Sequence, residues 1–485
     1  MSGRSRDRIA TVSLAVVACA TYLAALRVGF FSDDYQWLGR MNATLEQPSY
    51  MFSVIFRDFN PVLHAAFVLD WIVGGYTPAV WHLHSIVLHG IATGLLFLVC
   101  RRLRAPLVLS IAATSVWALN VRLSEAVIWP AARGHQLATV CSLAAVVLML
   151  GRRPGRRLFA LVFLTVGLFA KETTFFAMAA IPFFLPEWRK ERGFLAGLIG
   201  LGVGFVLLNI AIKDDLHTSG AGFTALLLKV PFILLRPLGL GDYYRFDFLS
   251  LILIAAVILV VAWWLRRGYG FAGLAWVLAC SAPIVPLDKL SSRYLYLPAI
   301  GYSIVLCAAW VAIRPLLRSK LSARWVPRAL LVGLVVIVAT NVISIQREIG
   351  DYRLLAEPYM SLAERTVPAL ASISNGETVV VVDGTPRTTI AELTERIQQR
   401  GNMTKLIPYR RHAIDGLIAL PDLLNVVRPR KPGMLGRPAV EADEGSMRWF
   451  RYDGVELREI QPTVDVPAAP VHRAAWDAAD RYFEP

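Results

Sequence analysis

The chain has 485 residues, of which 56% are apolar and 18% charged, and its mean hydropathy is +0.53. Counted with Gly in place of Tyr, the apolar share is about 60%, against roughly 45–50% for an average soluble domain, which excludes a soluble globular enzyme. The net charge of +15 comes largely from short basic clusters set between apolar runs, which fits a lipid-facing chain and no nucleic-acid partner. The five cysteines (Cys19, Cys100, Cys141, Cys280, Cys307) lie inside apolar runs with no CxxC pair, so neither a zinc site nor a disulfide framework is indicated.

Eleven apolar runs predict transmembrane helices over 9–30, 79–99, 105–120, 135–151, 158–170, 173–187, 194–212, 249–265, 271–287, 296–313 and 329–346. The pair 158–170 and 173–187, joined at Lys171-Glu172, reads as two short spans or one broken one. Charge parity favours two. With the N-terminus in the cytoplasm, the segments 1–8, 101–104, 152–157, 188–193, 266–270 and 314–328 fall on one side and carry 20 Lys and Arg. The rest of the chain to residue 346 carries 12, spread over longer stretches. Every dense basic cluster then lies inside, as the positive-inside rule requires. The expectation is N-in, C-out. A cleaved signal peptide is the competing reading of the first run, which follows Arg4, Arg6 and Arg8, and it leaves the remaining topology unchanged.

From about residue 347 the charge density rises, with 18 basic and 20 acidic residues in 347–485. Glu377–Gly384 (ETVVVVDG) predicts a buried strand, Thr388–Gly401 an amphipathic helix capped by Gly401, and Arg448–Ile460 a hairpin turning at Asp453-Gly454. The fold class is therefore an all-α polytopic membrane domain, 1–346, followed by a small extracytoplasmic α/β domain, 347–485, with a loosely ordered Pro- and Ala-rich tail. The basic stretch Arg428–Gly433 reads as a solvated surface run.

Three outer segments are more polar than connectors need to be. The first, 31–78, opens with Asp33 and Asp34 among Phe30, Phe31, Tyr35 and Trp37. Adjacent carboxylates at the membrane interface are costly unless solvated, paired or used. A plain alternative is that Ser32 or Asp33 caps a helix. Pro61–Gly74 is apolar but too short to span, and reads as an interfacial helix ending at Gly74-Gly75. His64 lies on it. His82 and His89, seven residues apart, share a helix face, and hydrogen bonding within the bundle or to a phosphate is a plainer role than metal ligation. The second segment holds Glu125, Arg133 and His135; the third holds Asp288, Lys289, Arg293, Tyr294 and Tyr296; Lys171 and Glu172 add an ion pair. One face thus collects acids and cations, and Arg forks with Lys point charges suit capture of a lipid phosphate. Separate loop ion pairs, each worth little, are the alternative.

SDDYQW, NPVLHAAF, WHLHSIVLHGIATGLLF, SEAVIWPAARGHQLA, FAKETTF and DKLSSRYLYLPAIGYS occur in an order that resembles the GT-C glycosyltransferases. The resemblance covers roughly residues 10–345. It is to the bacterial relatives of the protein O-mannosyltransferases and of the transmembrane mannosyltransferases that carry tetratricopeptide repeats. The repeats are absent here, and Asn60-Pro61 stands where an Arg-Pro start is more usual. The resemblance implies inverting transfer of a sugar from a polyprenyl-phosphate donor in the outer leaflet to an acceptor hydroxyl on a saccharide, lipid or protein. It also implies Asp33 or Asp34 as general base, Arg293, Lys171 and Arg133 at the donor phosphate, and a pocket bounded by Tyr35, His64, His82, Glu125, His135, Glu172, Tyr294 and Tyr296. No metal is expected to be obligatory, although paired carboxylates suit Mg²⁺ or Mn²⁺. The location implied is a bacterial inner membrane. A transporter or polymerase of lipid-linked saccharides is the competing class; its internal repeats and Gly/Pro-broken midplane helices are not evident in the sequence. A scaffold docking a partner through 347–485 would leave the Asp pair without a purpose.

Overall fold

The computed structural model describes residues 3–31, 33–54, 59–151, 155–185, 187, 190–212, 230, 233–238, 260–261, 269–286, 291–318, 325–370, 378–383, 447–452 and 457–460. Its helices, in chain order, are α1 (Gly3–Thr21), α2 (Asp34–Glu46), α3 (Pro61–Gly74), α4 (Pro78–Arg102), α5 (Leu107–Ala118), α6 (Glu125–Ile128) and α7 (Arg133–Met149). They continue with α8 (Arg156–Ala170), α9 (Thr173–Ala180), α10 (Arg192–Ile212), α11 (Gly270–Ser281), α12 (Ala299–Arg318) and α13 (Trp325–Leu370). Three strands follow: β1 (Thr378–Asp383), β2 (Met447–Tyr452) and β3 (Leu457–Ile460).

The chain is a multi-pass integral membrane protein. Five helical stretches are long and apolar enough to cross a bilayer: Ser5–Arg27, Pro78–Arg102, Pro130–Met149, Arg192–Ile212 and Leu331–Glu357. Five shorter apolar ones lie among the described residues: Pro61–Gly74, Leu107–Ala118, Thr173–Phe184, Gly270–Ile284 and Ala299–Val311. The predicted span 249–265 falls outside the described residues except at Val260 and Val261, and the predicted helix 388–401 falls outside them altogether. Large apolar side chains on α1, α8, α10 and α13 (Val12, Phe159, Leu207, Val335) stay exposed, as a lipid-facing surface demands.

The described residues form two units. The first holds those of Met1–Leu26 and His82–Ile349, the second those of Arg27–Trp81 and of Gly350 onward. In the first unit α7 packs on α8 and α9, α11 on α9 and α12, and α5 on α1 and α12. Gly273 and Gly301 let α11 and α12 meet backbone to backbone: a Cβ on Gly301 would lie 2.5 Å from the Gly273 carbonyl oxygen. Small residues at a helix crossing are how membrane helices gain close packing without a hydrophobic drive. Lys171 takes an extended conformation between α8 and α9, so this pair is two helices and not one.

One end of the first unit is basic. Arg101 Nε pairs with Asp7 at 2.9 Å, joining the start of α1 to the end of α4. Arg157 grips Glu191 through Nε at 3.0 Å and Nη2 at 2.6 Å, joining α8 to the segment before α10. Arg102 donates to the Val147 carbonyl near the end of α7. Four of the basic clusters therefore share one end. The other ends of α7 and α8, roughly 25 Å away at 1.5 Å per residue, carry Arg133, His135 and Lys171.

In the second unit α2 packs on α3. Pro61 opens α3 in the first turn, where its missing N–H costs nothing, and Gly75 closes it with φ +50°. The helix is two-faced: Leu63, His64, Phe67 and Asp70 are buried while Leu69, Ile72 and Val73 are exposed. β1 pairs parallel with β2, and β2 antiparallel with β3 in the register Tyr452↔Leu457. The rise in charge density at residue 347 lies inside α13, which runs on unbroken to Leu370.

Candidate active site

In the first unit the second and third polar segments and Lys171-Glu172 converge. Glu125 opens α6 and is fully buried. Its Oε2 accepts from Ser292 Oγ at 2.6 Å and from the Arg293 amide at 3.1 Å; its Oε1 accepts from Arg293 Nη1 at 3.1 Å and from Ser291 Oγ. The Arg293 guanidinium also lies over Trp129, 4.3 Å from the ring centre, and 5.2 Å from that of Tyr294. Tyr294 meets the His135 ring edge-on at 5.4 Å, and His135 is within electrostatic reach of both Lys171 and Arg293. Lys171 Nζ pairs with Glu172 at 3.1 Å, with both side chains partly exposed.

Beneath this cluster runs a buried polar chain. Tyr296 O–H lies 2.7 Å from His89 Nδ1, and His89 Nε2 lies 2.9 Å from the Ala118 carbonyl oxygen. A carbonyl only accepts, so the proton belongs on Nε2 and Tyr296 donates to Nδ1. Arg133 is fully buried and donates from Nε to Ser85 Oγ at 3.3 Å; Gln136 donates to the Ser85 carbonyl at 2.9 Å. His82 and His89 are both buried on α4, while His84 is partly exposed.

The second unit holds the Asp pair. Asp34 is buried, and its Oδ2 accepts from the Phe31 amide at 3.2 Å while its own amide returns to the Phe31 carbonyl. That reciprocal pair closes the turn into α2. Asp33, by contrast, is partly exposed, and its carbonyl receives the Trp37 amide. The Tyr35 side chain lies outside the described residues, as do Asp288 and Lys289. Two turns along α2, Arg40 is buried with its guanidinium 5.0 Å from the Trp37 ring centre. Burial pushes its pKa down to about 10, opposed by the Tyr50 hydroxyl and by Asp33. His64 is buried on α3 with Nε2 2.6 Å from Thr44 Oγ1, its ring edge-on to Trp37 and Tyr50. Burial, and then the Arg40 charge, push the ring down to about 4, so it is neutral.

Some residues were not singled out from the sequence: Arg40 beside His64 in the second unit, and Trp129, Ser291 and Ser292 around Glu125 and Arg293 in the first. Arg40 follows Asp33 by seven residues, two helical turns, and that spacing was legible. Trp129 follows Glu125 by four and returns its amide to the Glu125 carbonyl at 3.1 Å. Among the described residues no group of three or more His, Cys, Asp or Glu is placed to share a metal ion.

No protein-family model matches the chain. Over 192 residues it is 28% identical to Protein O-mannosyl-transferase Tmtc1 of Drosophila melanogaster, an alignment covering 36% of this chain and 22% of that protein. The chain thus spans about a fifth of that relative's length. The crystal structure of ArnT from Cupriavidus metallidurans in the apo state matches with a TM-score of 0.50 at 12% identity, covering 82% of this chain and 89% of that one. The chain has the fold of the GT-C membrane glycosyltransferases. A second ArnT structure, bound to undecaprenyl phosphate, gives a TM-score of 0.49 at 11% identity over 81% and 88% of the two chains. Within the GT-C fold of this chain, Glu125, Arg293 and Lys171 lie at the end of the first unit remote from its basic clusters.

Proposed function

We propose that the protein is an inverting glycosyltransferase that moves a hexose or pentose from a polyprenyl-phosphate donor to an acceptor hydroxyl at the outer face of a bacterial inner membrane. The observation that carries this reading is the gathering of Arg293, Lys171, His135 and Tyr294 at one end of a GT-C fold, with the basic clusters at the other. By the positive-inside rule the basic end faces the cytoplasm, which sets the chain N-in and the cation cluster outside. The name carried by Tmtc1, an O-mannosyl-transferase, supports sugar transfer to a hydroxyl.

In the reaction, Asp33 takes the proton of the acceptor hydroxyl as that oxygen attacks the anomeric carbon opposite the phosphate. The bond from that carbon to the phosphate oxygen breaks, and its electron pair leaves with the lipid phosphate. Asp33 is favoured over Asp34 as base because it is the partly exposed carboxylate, whereas Asp34 is buried and committed to the Phe31 amide. Arg293, Lys171 and Arg133 supply the cationic field that offsets the charge gathering on the departing phosphate. Within the first unit, Tyr294, Tyr296, His135 and Glu172 border that field.

The test is release of polyprenyl phosphate by purified protein in lipid, offered a panel of polyprenyl-phosphate sugars with hydroxyl acceptors. Release together with a product of opposite anomeric configuration is expected. Retained configuration overturns inversion, and lipid-sugar flipping in vesicles with no release from any donor favours a transporter.

A further inference from the structure

Glu125 is a fully engaged carboxylate of the first unit. It has no exposed surface, and four donors from three consecutive residues, Ser291, Ser292 and Arg293, occupy its two oxygens. A carboxylate so occupied has no lone pair to offer a substrate hydroxyl, so it is not itself a base for the transfer. Its effect falls on Arg293. The guanidinium is held at one edge by Glu125 Oε1 and from one face by Trp129, and both grips come from a single turn of chain, since the Trp129 amide bonds to the Glu125 carbonyl. That turn is itself anchored, because Ser124 Oγ donates to the buried Glu348 of α13 at 2.7 Å.

An arginine recognises phosphate through a planar fork, and its value depends on orientation: a guanidinium swinging on a free stem spends binding energy on being ordered. We propose that Glu125 is a positioning residue, which with Trp129 fixes the Arg293 guanidinium for the phosphate of the lipid donor. This inference rests on the donor reading above. The serines serve it too, since their two hydroxyl bonds fill carboxylate lone pairs that Arg293 leaves open.

The test is a double-mutant cycle read as affinity for undecaprenyl phosphate, with purified wild type, Glu125→Gln, Arg293→Ala and the double variant in lipid. Arg293→Ala should weaken binding on the order of tenfold to a hundredfold, the worth of a charge-assisted contact. Glu125→Gln should weaken it comparably, and in the Arg293→Ala background it should cost nothing further. Glu125→Asp should recover part of the loss. Additive losses, or wild-type affinity in Glu125→Gln, overturn the positioning role while leaving the donor reading standing. Wild type that does not bind undecaprenyl phosphate overturns the donor reading, and this inference with it. Should Glu125→Gln not fold, Trp129→Leu takes its place in the cycle: a severalfold loss that vanishes in the Arg293→Ala background supports the role, and unchanged affinity overturns it.

Discussion

The hydroxyl of Thr44 sits between the Arg40 carbonyl, to which it donates at 2.8 Å, and Nε2 of His64, 2.6 Å away. With its one proton given to the carbonyl, Thr44 can only accept from His64, so the imidazole carries its proton on Nε2. Nδ1 is buried, with no hydrogen-bond partner among the described residues. A second proton would have to enter beside the Arg40 guanidinium, away from water.

That arrangement makes stability depend on pH. The folded ring titrates near 4 and an unfolded histidine near 6.5, so below 6.5 the unfolded chain takes up a proton the folded chain refuses. Stability is full above pH 6.5 and is lost as the pH falls towards 4. Between pH 7 and pH 5 the loss should be about 2 kcal/mol. Thermal unfolding in detergent at the two values, wild type beside His64→Gln, reads it: the variant should lose less. Equal losses contradict a neutral, buried His64.

At the α11–α12 crossing, Gly301→Ala would place a methyl 2.5 Å from the Gly273 carbonyl oxygen and 2.9 Å from the Val277 amide nitrogen. Both are backbone atoms, so relief requires the helices to part, at a cost of about 1–3 kcal/mol. Gly333→Ala on α13 meets nothing within 4 Å and should be neutral or mildly stabilising. Melting temperatures of the two variants check this; comparable values would mean the crossing is looser than described.

Chelation gives a separate check on the chemistry. The proposed reaction offsets phosphate charge with Arg293, Lys171 and Arg133, so sugar transfer should survive treatment with excess EDTA. Loss of activity restored by Mg²⁺ or Mn²⁺ would require carboxylates such as Asp33 to hold an ion during turnover.

Helices and polarity were legible in the sequence because they are local properties. Each predicted span within the described residues contains a helix, and the strand at Glu377–Gly384 and the hairpin arms after Arg448 are present as β1, β2 and β3. Long-range pairings were not legible. Glu125 meets Arg293 across 168 positions, and His89 meets Tyr296 across 207, distances over which no periodicity selects a partner. Apart from the adjacent Lys171 and Glu172, the charges of the polar segments could therefore be collected from the sequence but not sorted into pairs. The Asp pair shows the same limit on a smaller scale: two neighbouring aspartates read alike until one proves buried against the Phe31 amide and the other partly exposed. The parallel register of β1 on β2 likewise depends on contacts across more than sixty residues of chain.

The most direct measurement is turnover of Asp33→Asn and Asp34→Asn beside wild type, with a polyprenyl-phosphate sugar the wild type accepts. Asparagine keeps the size of each side chain and removes its capacity as a base. Asp33→Asn should lower turnover on the order of a hundredfold to ten-thousandfold while donor affinity and melting temperature hold. Asp34→Asn should instead lower the melting temperature, because it weakens the bond that closes the turn at Phe31. Near-normal turnover in folded Asp33→Asn would contradict the account at its centre.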